Sequence, residues 1–219
     1  MFQHTHPYPP FIPRGATKLI VGTLPPPRFT VGDLKPGDVD FCYGSRDGQL
    51  WPILDAIFEL NLDYETTQKA VMQRKKFLES RHIGICDIVA SAQREKIDAS
   101  DLGMQQVELR DLVAILNTHE SVSTLLFTGG NSKNGPEYFF RRLLKSYGIR
   151  LVEISEEVPR VHQFQLPQGG RTITTVSLTA PSGAANRAVG SLPAYKKMKS
   201  ENPNSTTLDF RIAQYRPYF

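Results

Sequence analysis

Short aliphatic and β-branched runs alternate along this chain with longer stretches whose apolar residues recur every three to four positions. Lys18 to Leu24 (KLIVGTL), His82 to Val89 (HIGICDIV), Ser123 to Thr128 (STLLFT), Arg150 to Ile154 and Thr172 to Leu178 read as strands. Trp51 to Leu60, Glu65 to Ser80, Glu108 to Asn117, Glu137 to Tyr147 and Pro193 to about Ser200 carry helical spacing. Pro52 and Pro136 fall at helix starts, where a missing amide hydrogen costs nothing. Strands that alternate with helices predict parallel pairing with helices on both faces. The expected fold is therefore α/β, a three-layer α/β/α sandwich with a mostly parallel central sheet. No repeat, low-complexity tract or linker divides the chain, so residues 1–219 are expected to form one domain, with 1–15 as an extended N-terminal arm.

Composition narrows the class. Hydrophobic residues make up 40% and charged residues 22%, enough apolar material for a sizeable core. The net charge of +4 is compatible with nucleic acid without demanding it. Met1 to Gly15 lacks the apolar stretch of a secretory signal, and no segment approaches the roughly 20 apolar residues of a membrane helix. A cytoplasmic protein with no membrane partner is expected. Cys42 and Cys86 belong to no CxxC pair, so two buried thiols are expected rather than a zinc site or a disulfide.

Ligands of such sheets bind beyond the carboxyl ends of the strands. Four segments that follow strands are small, polar or glycine-rich: Gly22-Thr23-Leu24-Pro25, Cys86 to Ser91, Thr128 to Asn131, and Thr179 to Asn186. Each alone could be an ordinary turn, because turns favour the same residues. Together they point to one site. The stretch from Arg28 to Gly48, with Gly32, Gly37, Gly44 and Pro36, is long for a connection and has the length of a functional loop.

These segments carry a resemblance. Gly22-Thr23-Leu24-Pro25, then Phe41-Cys42-Tyr43-Gly44, then Trp51-Pro52-Ile53-Leu54 resemble the first motif of hypoxanthine-DNA glycosylase-like proteins, a branch of the uracil-DNA glycosylase superfamily. Asp87 to Ser91, with Arg94 and Ile97-Asp98 downstream, resembles the segment after the family's second strand. Leu126 to Gly130 resembles its central strand and turn, and Pro181-Ser182-Gly183-Ala184-Ala185-Asn186 the superfamily's second motif.

The resemblance implies a monofunctional DNA glycosylase. Such an enzyme hydrolyses the N-glycosidic bond of a flipped, deaminated base, uracil or hypoxanthine, and needs no metal or cofactor because a positioned water is the nucleophile. Its partner would be DNA holding a damaged or deaminated base, and the protein is expected to be a monomer. Gly22, Thr23, Leu24, Pro25 and Tyr43 would bind the base, with Tyr43 stacking on it. Pro181, Ser182, Gly183 and Asn186 would contact DNA. One position departs from the family: the asparagine expected three residues before the tryptophan is Gly48, and Thr23 cannot act as a base. Asp47, Gln49 and Asp87 are the candidate catalytic replacements, Asp47 foremost. The departure keeps open a non-catalytic member that binds damaged or single-stranded nucleic acid. A hydrolase or transferase of small nucleosides fits the same α/β pocket.

Other features carry less. His4 and His6 flank Thr5, and a mobile terminus is the expectation there. His82, His119 and His162 have no neighbour at metal-ligand spacing. Ser182 lacks a Gly-x-Ser-x-Gly elbow, and Gly129-Gly130 is no phosphate-binding loop of the Walker type. Arg141-Arg142-Lys145 and Lys196-Lys197-Lys199 are expected as solvated helix faces, and the tail with Arg211, Tyr215, Arg216, Tyr218 and Phe219 is expected to pack back on the domain.

Overall fold

The structure, a computed structural model, describes residues 1–96 and 100–219. Its main sheet has six strands. Lys18–Val21 (β2) lies between Ile83–Ile85 (β3) and Thr124–Phe127 (β6), all parallel, and β6 pairs in parallel with Thr172–Ser177 (β9). Arg160–Gln165 (β8) and Val152–Ser155 (β7) extend the sheet antiparallel beyond β9, giving the order β3-β2-β6-β9-β8-β7. The chain steps outward one way from β2 to β3 and the other way from β6 to β9. That reversal opens a crevice at the strand ends between β2 and β6.

The pleat sorts side chains onto two faces. On β2, Ile20 joins the core under Leu50–Phe58 (α2), Gln68–Ser80 (α3) and Thr207–Tyr215 (α8), with Trp51, Phe77 and Tyr215 buried there. Leu19 and Val21 face the opposite core, filled by Leu112–Thr118 (α4) and Pro136–Ser146 (α5) through Leu116, Phe139 and Phe140. The α/β/α layering expected from the alternating pattern is thus present, with a mostly parallel sheet. Two further helices, Asn186–Ser191 (α6) and Pro193–Glu201 (α7), follow β9, and a short one, Pro27–Thr30 (α1), follows β2.

Several elements differ from the sequence reading. The run His82 to Val89 is not one strand: β3 ends at Ile85, and Val89–Arg94 (β4) leaves for a second sheet. There β4 pairs antiparallel with Phe2–Thr5 (β1) on one side and Met104–Leu109 (β5) on the other. The N-terminal segment is therefore a sheet edge rather than a free arm, with His4 and His6 both buried. Glu108 to Asn117 is not one helix either. Glu108 and Leu109 finish β5, and α4 starts only after Asp111, whose side chain accepts from the Ala114 amide as an N-cap. The strand placed at 150–154 is the antiparallel edge β7 and not a member of the parallel set.

Candidate active site

The site grows from the ends of the four parallel strands. Beyond β2 the chain passes Gly22 to Pro25. Beyond β3 comes Asp87, beyond β6 Thr128, and beyond β9 Ala180 to Ala184; all border one cavity of about 390 Å³. This is a volume suited to a small organic ligand.

Asp87 is its best-held polar group. The residue is 5% exposed. Its Oδ1 accepts from the Gly22 amide at 2.6 Å and the Tyr43 hydroxyl at 2.8 Å, and its Oδ2 lies 2.9 Å from His6 Nε2. Glycine at 22 is required by this approach: a Cβ there would stand 2.3 Å from Tyr43 Oη and 2.9 Å from Asp87 Oδ1. Tyr43 reaches in from the long loop with φ +58°, a left-handed conformation rare for a tyrosine. Its hydroxyl also lies 3.1 Å from Thr128 Oγ1, so the ring is anchored by its tip.

The loop that delivers Tyr43 is built around buried Asp38. Arg28 binds that carboxylate through Nε and Nη2 at 2.7 and 2.8 Å, and the Lys35 and Arg46 amides donate at 2.9 and 2.8 Å. Burial opposes ionisation of Asp38, but these donors outweigh it and hold the carboxyl down to about 2.

A second carboxyl lines the cavity. Asp101, in the turn before β5, accepts from the Thr23 hydroxyl at 2.8 Å, and its backbone carbonyl takes a bond from Asn134. Burial pushes the Asp101 carboxyl up to about 6; the Thr23 hydroxyl and Arg94 oppose the rise, and the charge of Asp87 adds to it. Asp101 was absent from the sequence reading. Its only sequence signal is a polar turn three residues ahead of Met104, where β5 begins, and that strand was itself missed.

The expected residues divide. Gly22, Thr23, Leu24, Pro25, Tyr43 and Asp87 all border the cavity, as do Pro181, Ser182 and Gly183. Asp47 stands at the rim, its side chain 73% exposed and 3.5 Å from Arg28 Nη2. Gln49 and Asn186 point elsewhere. Both accept from Arg211 Nη1 through their side-chain oxygens, each at 2.8 Å. Of the family-like segment downstream of Asp87, Arg94 is buried and donates from Nε to His4 Nδ1 at 2.7 Å. Ile97 and Asp98 lie outside the described residues.

His6 is the largest departure from expectation. Instead of waving in solvent it borders the cavity, because its backbone amide bonds Ala90 O at 2.8 Å and continues the pairing of β1. Arg211 is the second. From the tail it donates to the carbonyls of Ala180 and Ser182 at 2.9 and 3.1 Å, so the loop after β9 is wrapped around one guanidinium. The same loop meets the one before α2. Gln49 N–H donates to Pro181 O at 2.8 Å, and Gly48 and Ser182 form an antiparallel bridge. Among the described residues, no three His, Cys, Asp or Glu side chains gather as metal ligands would.

No protein-family model and no curated protein matches the sequence. A solved structure does: the solution NMR structure of a protein from Methanosarcina acetivorans, described as a "putative Uracil DNA glycosylase". The two superpose with a TM-score of 0.57 over 99% of this chain and 98% of the other, at 16% identity. The fold is uracil-DNA glycosylase-like. At that identity the likeness speaks for the architecture, and the chemistry rests on the residues above.

Proposed function

We propose that this chain is a DNA glycosylase that hydrolyses the N-glycosidic bond of a deaminated base, uracil or hypoxanthine, flipped from DNA into the cavity. The observation that carries the reading is the state of Asp87. A carboxylate offers about four acceptor positions. Three are filled by fixed donors, both on Oδ1 and one on Oδ2, which leaves one on Oδ2 for a ligand. An immobilised acceptor at the floor of a pocket selects a ligand with an N–H at one place, and a site built for such a bond strongly rejects analogues that lack it. Uracil and hypoxanthine each carry a ring N–H beside a carbonyl. Cytosine and adenine have a lone pair at that ring position, which a carboxylate repels.

Asp101 supplies the other half. As the C1′–N bond breaks, its electron pair leaves with the base and the sugar becomes cationic. Water then adds at C1′ and gives up a proton. A cavity carboxyl raised to about 6 is ionised at neutral pH and still basic enough to take it. In this scheme Asp47 stays at the rim, where with Ser182 and Gly183 it meets the DNA rather than the reacting bond. Exposed Arg187, Lys196 and Lys197 follow the same loop and suit phosphate contact.

The test is base release from oligonucleotides carrying uracil, hypoxanthine, xanthine or a mismatch, with abasic strands cut by mild alkali and sized. Release by the native protein, lost in Asp101→Asn and in Asp87→Ala, supports the assignment. No release with oligonucleotide binding intact would make the chain a non-catalytic binder, and hydrolysis of free nucleosides in preference to oligonucleotides would make it a nucleoside hydrolase.

A further inference from the structure

The geometry points to His6 as the positioning residue of the pocket, the group that fixes which way Asp87 presents its free acceptor to a base. This inference rests on the cavity being a base pocket and goes beyond it to the part that the segment after β1 plays in it.

The argument starts from the imidazole's two nitrogens. Nδ1 lies 3.2 Å from the Tyr8 amide, and a backbone N–H can only donate. Nδ1 must therefore be the bare nitrogen, which puts the hydrogen of the neutral ring on Nε2. That nitrogen faces Asp87 Oδ2 at 2.9 Å. The tautomer is thus set by the backbone two residues on, with no need for a charged ring. The ring is also held in place. Its own residue is tied to Ala90, its side chain is 1% exposed, and the Tyr8 ring packs edge-on against it at 6.0 Å.

Its effect on Asp87 follows. The Gly22 and Tyr43 donors both act on Oδ1, so they hold that oxygen and the carboxylate plane but leave both positions of Oδ2 open. His6 is the donor that occupies Oδ2. It turns a carboxylate with two open positions into one with a single open position in a single direction. Discrimination by a hydrogen bond depends on that direction, since misaligned acceptors lose most of the bond.

The experiment measures binding, so that it is separate from catalysis. Oligonucleotides carrying 2′-fluoro-2′-deoxyuridine, whose fluorine suppresses bond cleavage, are compared with the same strands methylated at uracil N3, which removes the N–H. Fluorescence anisotropy is read for native protein, His6→Leu and His6→Gln, with the thermal midpoint of each. The native protein should prefer the unmethylated strand by at least about tenfold, the span of a hydrogen bond to a charged group. His6→Leu should bind both strands alike, and His6→Gln, whose amide nitrogen stands about where Nε2 stands, should restore the preference. Retention of the full preference by His6→Leu overturns the assignment. So does a Gln variant that folds like the native protein and fails to restore it, or a native protein without preference. A native protein that discriminates in this assay yet releases no base from ordinary uracil strands would remove the glycosylase and leave the role of His6 standing.

Discussion

Arg211 Nη1 donates to Gln49 Oε1 at 2.8 Å across 162 residues of chain. The same guanidinium takes Asn186 and the carbonyls of Ala180 and Ser182, so one buried side chain from α8 fastens both loops that frame the cavity. Arg211→Met roughly keeps the volume and takes the charged donor from all four acceptors: Gln49 loses its partner, while Asn186 keeps the Thr207 hydroxyl and the Ala180 and Ser182 carbonyls keep the Ser182 and Ala185 amides. It should cost roughly 1–3 kcal/mol of stability, the scale of hydrogen bonds to a charged group where water can reach part of the gap. Denaturant unfolding reads the loss. Hydrogen exchange should place it in residues 180–186, and a loss spread evenly through the chain would count against the fastening role.

Asp101→Asn should lower base release by about a hundredfold or more, the usual contribution of a general base. In the native protein the rate should rise with pH through about 6 and level above it, because only the ionised carboxyl accepts the water's proton. The variant should lack that limb. Stability runs the other way. The folded protein holds this proton more tightly than an unfolded carboxyl near 3.8, so the group favours the fold in acid and that contribution is lost as pH rises from about 4 to about 6. At pH 7 the asparagine variant should therefore be the more stable of the two. Asp47→Ala, at the exposed rim, should change stability by no more than about 0.5 kcal/mol and leave the rate within a few-fold.

His4 makes the opposite prediction. Burial and the neighbouring Arg94 charge push its pKa down to about 4, so it is neutral at pH 7 and accepts from Arg94 through Nδ1. An unfolded histidine near 6.5 takes up a proton first as pH falls, so stability is full above 6.5 and is lost between 6.5 and about 4. His4→Asn keeps an acceptor for Arg94 and does not titrate. Its stability relative to native should therefore improve as pH drops from 7 to 4, measured by urea unfolding across that range. A constant difference between the two proteins would contradict the assignment.

Gly22→Ala tests the close approach at the floor. The added methyl would meet Tyr43 Oη and Asp87 Oδ1, and Tyr43 is already tied to Thr128. Base release should fall at least about tenfold, because even a small misplacement at a reacting site is costly. A variant with native activity would show that the tyrosine gives way freely.

Much of the architecture was legible because β2 and β6 are buried on both faces and read as apolar runs, and β9 (TITTVS) is rich in β-branched residues. The strands that escaped are polar in sequence. VASAQR in β4, MQQVEL in β5 and RVHQFQ in β8 carry too few apolar residues to announce themselves, and their partners decide their state. Around α4 the apolar residues Val107, Leu109, Leu112, Val113 and Leu116 fit a helical spacing, yet the first two belong to a strand. The start of α8 did have a local signal, a capping box in which Thr206 and Asp209 bond reciprocally.

The site was legible where residues sit at the ends of parallel strands, as Gly22 and Asp87 do. It was not legible where distant chain supplies a wall. Nothing near His6 in sequence tells that it will meet Asp87, 81 residues away. Gln49 and Asn186 look like site residues by position, and only the fold shows that Arg211 claims their side chains.

The bridge between Gly48 and Ser182, with the bond from Gln49 to Pro181, makes one frame of two loops that could have moved apart. The entropy of ordering them is lost when the chain folds, so little remains to be lost when a strand docks. The entrance therefore works as a rigid aperture rather than a closing hand. On the proposed function, bases would be sorted by what the opening admits and the floor accepts, and a nucleotide that fits neither would leave as quickly as it came.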